Sequence, residues 1–140
     1  MPCFQAYFDG SGITGIVGFN HVAINDGSFI LDPFNLADIT VNEAGIYLAI
    51  FNLYLDANLA EGSAFSITIN GVEQANTVFG VEKNIGDTSP YRLTGEALLA
   101  INSGDVLRLV NTGVSEQRLL NIADGRLVIA ASLILTKVCE

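Results

Sequence analysis

The first residue to consider for catalysis is His21, the single histidine of the chain, which lies in the sequence GFNHVAI. Histidine is the commonest general base, and a Ser-His-Asp or Cys-His catalyst would have to use this one. No G-x-S-x-G nucleophile elbow accompanies it. We therefore expect a structural or surface role for His21, no catalytic residue and no enzymatic activity.

A glycine-rich stretch near the start of the chain superficially resembles a phosphate-binding loop. It consists of Gly10-Ser11-Gly12, followed by Gly15 and Gly18. The stretch lacks the Gly-Lys-Ser/Thr of a P-loop, and the pattern around it does not open a helix. We expect these glycines to serve in a loop or a bulge, and we expect no cofactor.

Paired carboxylates could hydrolyse glycosides, and clustered loop acids could hold calcium. The candidates are the pairs Asp32 with Asp38 and Glu61 with Glu73 for catalysis, and Asp26, Asp32 and Asp87 for calcium. None of them lies in a recognisable motif, the EF-hand pattern does not occur, and there is no tryptophan to stack on a sugar. We expect these acids to be solvated surface groups, with no bound metal.

The two cysteines, Cys3 and Cys139, each lie close to an end of the chain. They do not form a zinc site by themselves, because such a site needs two more ligands at local spacing. A pair of reduced, inert thiols is one interpretation. A disulfide, within the chain or between chains, is the other, and the fold decides whether the two residues can meet.

The charge of the chain is low in amount and uneven in distribution. Only 15% of the 140 residues are charged, against about 25% in an average domain, which suggests that another chain covers part of the surface. The net charge is −9, and every lysine and arginine lies at Lys83 or later. Nucleic acid and anionic membranes both require clustered basic residues, so we expect neither as a partner.

The length predicts one domain over residues 1–140, with a core over about residues 5–138. The sequence MPCFQAYFDG has neither a positive n-region nor an apolar h-region, so we expect no classical signal peptide. The longest apolar run, Leu127 to Leu135, is too short to span a bilayer. We therefore expect no membrane insertion.

The strongest strand signal is Ile46 to Leu55, which is rich in β-branched and aromatic residues. Both of its faces are mostly apolar, with Tyr47, Ala49, Phe51, Leu53 and Leu55 on one, and Ile46, Leu48, Ile50, Asn52 and Tyr54 on the other. A buried helix is the competing interpretation, which the preceding Gly45 turn and the aromatic content disfavour. Because an antiparallel strand normally leaves one face in water, this strand is expected to be covered twice.

Further strand candidates follow at short intervals, and Asn70-Gly71 is a strong hairpin signal because a type I′ turn needs positive φ twice. No segment has the pattern of an amphipathic helix. The other candidates are Gly15–Ala23, Ser28–Leu31, Leu36–Val41, Ala64–Asn70, Val72–Val81, Tyr91–Ile101, Val106–Val110 and Arg126–Val138. About eight to ten short strands predict an all-β antiparallel sandwich or jelly roll.

The order of motifs resembles the C1q/TNF-like jelly-roll family. Phe34 to Tyr54 leads through a glycine turn into an aromatic strand, a strand ending in Asn-Gly follows, and Ala97 to Val110 contains a Gly-Asp turn. The chain closes on the hydrophobic strand Leu127 to Lys137. The AGIY turn-strand and the LxxINxGDxLRLV-like segment are most similar to the C-terminal domains of bacterial collagen-like spore-surface (BclA-type) and exosporium proteins, although no Gly-X-Y repeat precedes them here.

This resemblance implies an antiparallel two-sheet jelly roll that assembles into a homotrimer. It implies a non-enzymatic structural protein of a bacterial spore or cell surface, in the exosporium or coat, with other surface-layer proteins as further partners. The doubly apolar strand supplies the residues expected at the trimer interface or core, which are Tyr47, Ala49, Phe51, Leu53 and Tyr54.

The resemblance also bears on the cysteines, because in this family the first and last strands are neighbours, so Cys3 and Cys139 should emerge on the same side. An alternative function stays open. The loops Asp56–Ser63 and Lys83–Pro90 could recognise a carbohydrate or a protein receptor, since jelly rolls include lectins and a fold alone does not choose a function.

Overall fold

Fifteen β-strands and one 3-10 turn make up the computed structural model, which describes residues 1–140. Eight strands have four or more residues and seven have two or three, so the longer ones match the predicted number. The 3-10 turn spans Ala75–Thr77. The strands, β1 to β15 in chain order, are Cys3–Phe8, Gly12–Thr14, His21–Asn25, Phe29–Leu31, Ile39–Val41, Gly45–Leu55, Gly62–Ile69, Val72–Glu73, Phe79–Glu82, Tyr91–Ile101, Asp105–Asn111, Gln117–Leu119, Ile122–Ala123, Arg126–Leu127 and Ala131–Cys139.

The strands form two antiparallel sheets that face each other. The large sheet has the order β2-β12-β6-β15-β1-β3, with β10 also paired to β6. The small sheet has the order β4-β5-β11-β7-β8, with β9 also paired to β7, and β13 and β14 form a separate hairpin. The all-β jelly-roll prediction is confirmed, and β1 pairs with β15, so the first and last strands are neighbours.

The core lies between the sheets and is built on the inward face of β6. Tyr47, Ala49, Phe51, Leu53 and Leu55 alternate along this strand and are buried completely or almost so. Burying a side chain of this kind contributes about 1.5–3 kcal/mol. The hydroxyl of Tyr47 donates a hydrogen bond of 2.7 Å to the carbonyl of Glu43, so the buried phenol is not left without a partner.

The predicted hairpin at Asn70-Gly71 is present, with φ of 51° and 82° at the two residues. Its return strand is interrupted, because β8 ends at Glu73 and β9 begins only at Phe79. Between them, the buried Oγ1 of Thr77 accepts a hydrogen bond of 2.9 Å from the amide of Ile67. This side chain therefore replaces a bond that a continuous return strand would supply.

Of the segment predicted as the strand Gly15–Ala23, only residues 21–23 lie in a strand, β3, and residues 15–20 form a crossing between the sheets. Strand β2 ends before it and β3 begins at His21. The amide of Val17 donates to the carbonyl of Leu109 at 2.9 Å, so the chain here lies against the small sheet. Val17 and Phe19 alternate like strand residues because both side chains enter the core.

We expect Gly95→Ala to lower the free energy of unfolding by about 1–3 kcal/mol through overpacking. Gly95 lies opposite Phe51 in the β6–β10 pair. An added Cβ would overlap the ring of Phe51 and lie 2.7 Å from Cδ1 of Phe79. Gly18→Ala is the matched control, because a Cβ there meets nothing within 4 Å. Equal urea midpoints for the two variants would contradict the packing described for β10.

Candidate functional site

The outer face of the large sheet carries apolar side chains that the chain's own second sheet does not cover. One row of residues crosses five strands, with Ile50 of β6 directly between Glu96 of β10 and Ile134 of β15. The row continues from Ile134 through Gln5 to Ile24. The apolar side chains of this face, which we call the outer patch, are Ile24, Ile46, Leu48, Ile50, Leu98 and Ile134.

The outer patch has apolar side chains on the edge strands β10 and β3 as well as on the central strand β6. On β6, Ile46, Leu48 and Ile50 are half-buried, because neighbouring side chains of the same sheet flank them. On the edge strands, Leu98 and Ile24 are 56% and 52% exposed. Exposed apolar side chains grouped on one face, here with Glu96 and Gln5 among them, make this face a candidate interaction site.

A polar cluster around Arg92 closes one end of the same face. The same nitrogen of Arg92, Nη1, donates to Oδ1 of Asn52 at 3.0 Å and to the carbonyl of Ile129 at 2.7 Å. The guanidinium also lies 4.6 Å from the centre of the Tyr54 ring, in a cation–π contact. No carboxylate lies within ion-pair distance of Arg92. This arginine is therefore held in place with its charge uncompensated.

The five residues expected at the trimer interface or core separate onto two faces. Tyr47, Ala49, Phe51 and Leu53 point into the core, so they cannot contact another chain. Only Tyr54 lies on the outer face. The alternation along β6 correctly placed Ile46, Leu48 and Ile50 together on the opposite face. Because both faces are apolar, the sequence does not determine which of them points into the core.

His21 is the first residue of the edge strand β3 and belongs to a small polar cluster. Its Nε2 is 3.0 Å from Oδ2 of Asp9, and its ring stacks on Tyr7 with centroids 4.7 Å apart. Nδ2 of Asn20 donates to the other oxygen of Asp9 at 2.9 Å. No hydroxyl or thiol is hydrogen-bonded to the imidazole, so the arrangement lacks a nucleophile.

The carboxylates considered for catalysis do not face each other. Asp38 forms an ion pair with Arg108, whose Nη2 donates to Oδ2 at 3.1 Å, whereas Asp32 accepts from the amide of Phe34 at 2.9 Å. Glu73 accepts from Oγ of Ser66 at 3.1 Å. Glu61 precedes strand β7, at the end remote from Glu73. Neither pair has the convergent geometry of a glycosidase.

The loop acids considered for calcium are engaged locally. Asp26 accepts from Oγ of Ser28 at 2.8 Å, and Asp87 lies 3.3 Å from Nζ of Lys83. No group of three or more His, Cys, Asp and Glu side chains comes together in the chain. In the glycine-rich stretch, Gly12 begins strand β2 and the carbonyl of Gly15 accepts from Asn111 at 2.7 Å, without a following helix.

The two loops singled out for receptor binding lie side by side at one end of the sandwich. The amide of Lys83 donates to the carbonyl of Glu61 at 2.9 Å, and the amide of Gly86 donates to Oε1 of Glu61 at 3.1 Å. Ile85, at the tip of the second loop, is 95% exposed. One glutamate therefore holds both loops together and presents an apolar side chain to solvent.

Both cysteines belong to strands of the large sheet. Cys3 begins β1 opposite Thr136, and Cys139 ends β15 opposite Ile46, after a bulge at Val138. Both thiols are free. A disulfide that involves them stays a prediction.

Solved structures with the same architecture exist although the sequences are remote. The globular domain of zebrafish complement 1qA protein matches with a TM-score of 0.70 and 12% identity, over 99% of this chain and 98% of that one. Murine APRIL matches with a TM-score of 0.62 and 9% identity, over 98% of each chain. No protein-family model and no curated protein matches the sequence. The fold is a C1q/TNF-like jelly roll. The chain contains no helical segment with the length and hydropathy of a membrane span.

We expect Asn20→Ala to raise the pKa of Asp9 towards its ordinary value of 3.8. The pKa of Asp9 is lowered mainly by the hydrogen bond from Asn20; burial opposes this, and the nearby His21 lowers the pKa further. A lowered folded-state pKa contributes stability above the ordinary pKa, and this stability is lost as the pH falls through the folded-state value. Carboxyl NMR titration measures the shift.

Asn84→Ala is the control for this titration, because the side chain of Asn84 makes no hydrogen bond within the chain. It should leave the pKa of Asp9 unchanged. An Asp9 pKa that is the same in Asn20→Ala and in the unsubstituted protein would show that the polar cluster is not held as described.

Proposed function

We propose that the chain is a non-enzymatic assembly protein that trimerises through the outer face of its large sheet, in a surface layer of a bacterial spore or cell. The observation that carries the proposal is strand β6, which is apolar on both faces although the chain covers only one. Removing apolar surface from water contributes about 25 cal/mol per Å². A second copy that covers the outer patch gains this contribution.

The fold favours a closed trimer over an open filament of copies. Domains with the C1q/TNF-like fold commonly trimerise. A closed ring with rotational symmetry needs a heterologous interface, in which one patch of each copy meets a different patch of the next. Different parts of the outer face of the large sheet serve as these two patches, so that the outer faces of the three copies turn toward one axis.

The size of the chain leaves room for such an interface. A stable association buries about 800 Å² per partner, and each copy in a ring takes part in two contacts. The accessible surface of one chain is 6897 Å², so the two contacts together would take about a quarter of it. The low share of charged residues agrees with a chain that spends this much surface on contacts.

The location in a surface layer rests on sequence and composition. The AGIY turn-strand and the leucine-rich Gly-Asp segment are similar to those of bacterial spore-surface and exosporium proteins. In the structure, these two segments begin β6 and join β10 to β11, so they lie side by side at one end of the outer patch. Other proteins of the same layer are further partners of the assembled trimer.

A second candidate function is receptor recognition by the loops Asp56–Ser63 and Lys83–Pro90. The observation that favours it is the exposed Ile85 on a loop that Glu61 fixes to its neighbour. These loops lie at the end of the sandwich, so the trimer and a loop-bound carbohydrate or protein receptor would be compatible. A reproducible hit on a glycan array would support this function.

We expect the unsubstituted protein to be a trimer and Ile50→Lys to be a folded monomer at micromolar concentration. Ile50 lies at the centre of the outer patch, next to Glu96, which can compensate the new charge in the monomer. In the trimer, burying each new lysine costs about 3 kcal/mol, which weakens each contact by about a hundredfold. Multi-angle light scattering measures the mass of each species.

Ile30→Lys is the matched control, because Ile30 is 53% exposed on the outer face of the small sheet. It introduces the same charge and should remain trimeric. A monomeric unsubstituted protein would contradict the proposal. A trimeric Ile50→Lys variant would place the interface elsewhere on the molecule.

A further inference from the structure

The two cysteines lie on the outer face, at the same end of it. Residues directly opposite each other in an antiparallel pair point to the same side of the sheet. Cys3 lies opposite Thr136, which lies opposite Leu48 of the outer patch. Cys139 lies opposite Ile46, which also belongs to the outer patch. Both thiols are therefore at the surface through which copies are proposed to meet.

Both residues are held in the sheet, although each is close to a chain end. The carbonyl of Pro2 accepts a hydrogen bond of 3.0 Å from the amide of Lys137, and the carbonyl of Cys3 accepts one from Asp26 at 3.3 Å. Nζ of Lys137 lies 2.8 Å from a side-chain oxygen of Glu140. Because the Lys137 side chain is only 4% exposed, this contact ties the last residue to a buried group. Frayed termini would not position the thiols in this way.

The register disfavours a bridge within one chain. Cys139 lies level with Ile46, whereas Cys3 and Thr136 lie level with Leu48, two residues further along β6. At about 3.4 Å per residue along a strand and about 4.8 Å between strands, the two Cα atoms are about 8 Å apart. A disulfide cannot join Cα atoms more than about 7 Å apart unless the backbone moves.

We propose that Cys3 of one copy and Cys139 of the next form a disulfide across the threefold interface, an inference that rests on the proposed trimer. A heterologous interface brings different residues of two copies together. If Cys139 paired with Cys139, one thiol of every three would be left over. Pairing Cys3 with Cys139 uses all six thiols in three equivalent bridges, which close the ring.

The oxidant is a low-molecular-weight disulfide such as oxidised glutathione. The thiolate of one cysteine attacks it and releases one glutathione thiol, leaving a mixed disulfide on the protein. The thiolate of the second cysteine then attacks the protein sulfur of the mixed disulfide and releases the second glutathione thiol. Two protein thiols are oxidised and one glutathione disulfide is reduced. The ring would then persist at concentrations at which a non-covalent trimer dissociates.

The test uses protein purified with reductant and then oxidised with excess oxidised glutathione. Denaturing electrophoresis without reductant should show a covalent trimer that reductant converts to monomer. Cys3→Ser and Cys139→Ser, oxidised in the same way, should each lose every covalent dimer and trimer, because each removes one partner of every bridge. Light scattering on reduced samples should show both variants as trimers.

Each other result overturns the bridge. A covalent dimer that survives in Cys3→Ser would mean that Cys139 pairs with itself. A monomer band whose intact mass is lower by two hydrogen atoms would mean a bridge within the chain. Free thiols in a protein that light scattering shows to be trimeric would remove the bridge and leave the proposed assembly standing. A reduced protein that is monomeric would remove both.

Discussion

The rest of the structure depends on one constraint: a β-strand has two faces, and in a two-sheet sandwich the opposite sheet covers only one of them. In strand β6 both faces are apolar. The inner face, with Tyr47 and Phe51, builds the core against the small sheet. The outer face leaves Leu48 and Ile50 without a second layer from the same chain. The proposed assembly follows from this surplus of apolar surface rather than from any reactive group.

The charges are distributed so that this surface can meet another copy. Each chain carries a net charge of −9, which opposes association. On the outer face of β6, β10 and β15, however, the charged groups are one acid, Glu96, and one base, Arg92, while Lys137 points inward. Copies can therefore approach there with less repulsion than elsewhere, and salt should screen the repulsion that remains.

The sequence predicted the elements that have a strong local pattern and missed those whose local pattern is weak or that only the fold brings together. Strand β10 has the predicted bounds, and the Asn70-Gly71 hairpin follows from turn chemistry alone. Strand β1 was missed because its alternation is short and terminal. The outer patch could not be assembled from the sequence, because it joins Leu98, Leu48 and Ile134 from three strands whose register only the fold sets. The sequence likewise could not decide whether Cys3 and Cys139 pair within one chain, because this depends on their register in the large sheet.

Oxidative footprinting of the native protein tests the central claim most directly. Leu98 on the outer patch and Ile30 on the small sheet are 56% and 53% exposed in a single chain, so hydroxyl radicals should modify them to similar extents if both stay in water. Covering of the outer patch by other copies predicts that Leu98 is modified several times less than Ile30, and that the difference disappears on dilution below the dissociation constant. Similar modification of Leu98 and Ile30 at all concentrations would contradict the account.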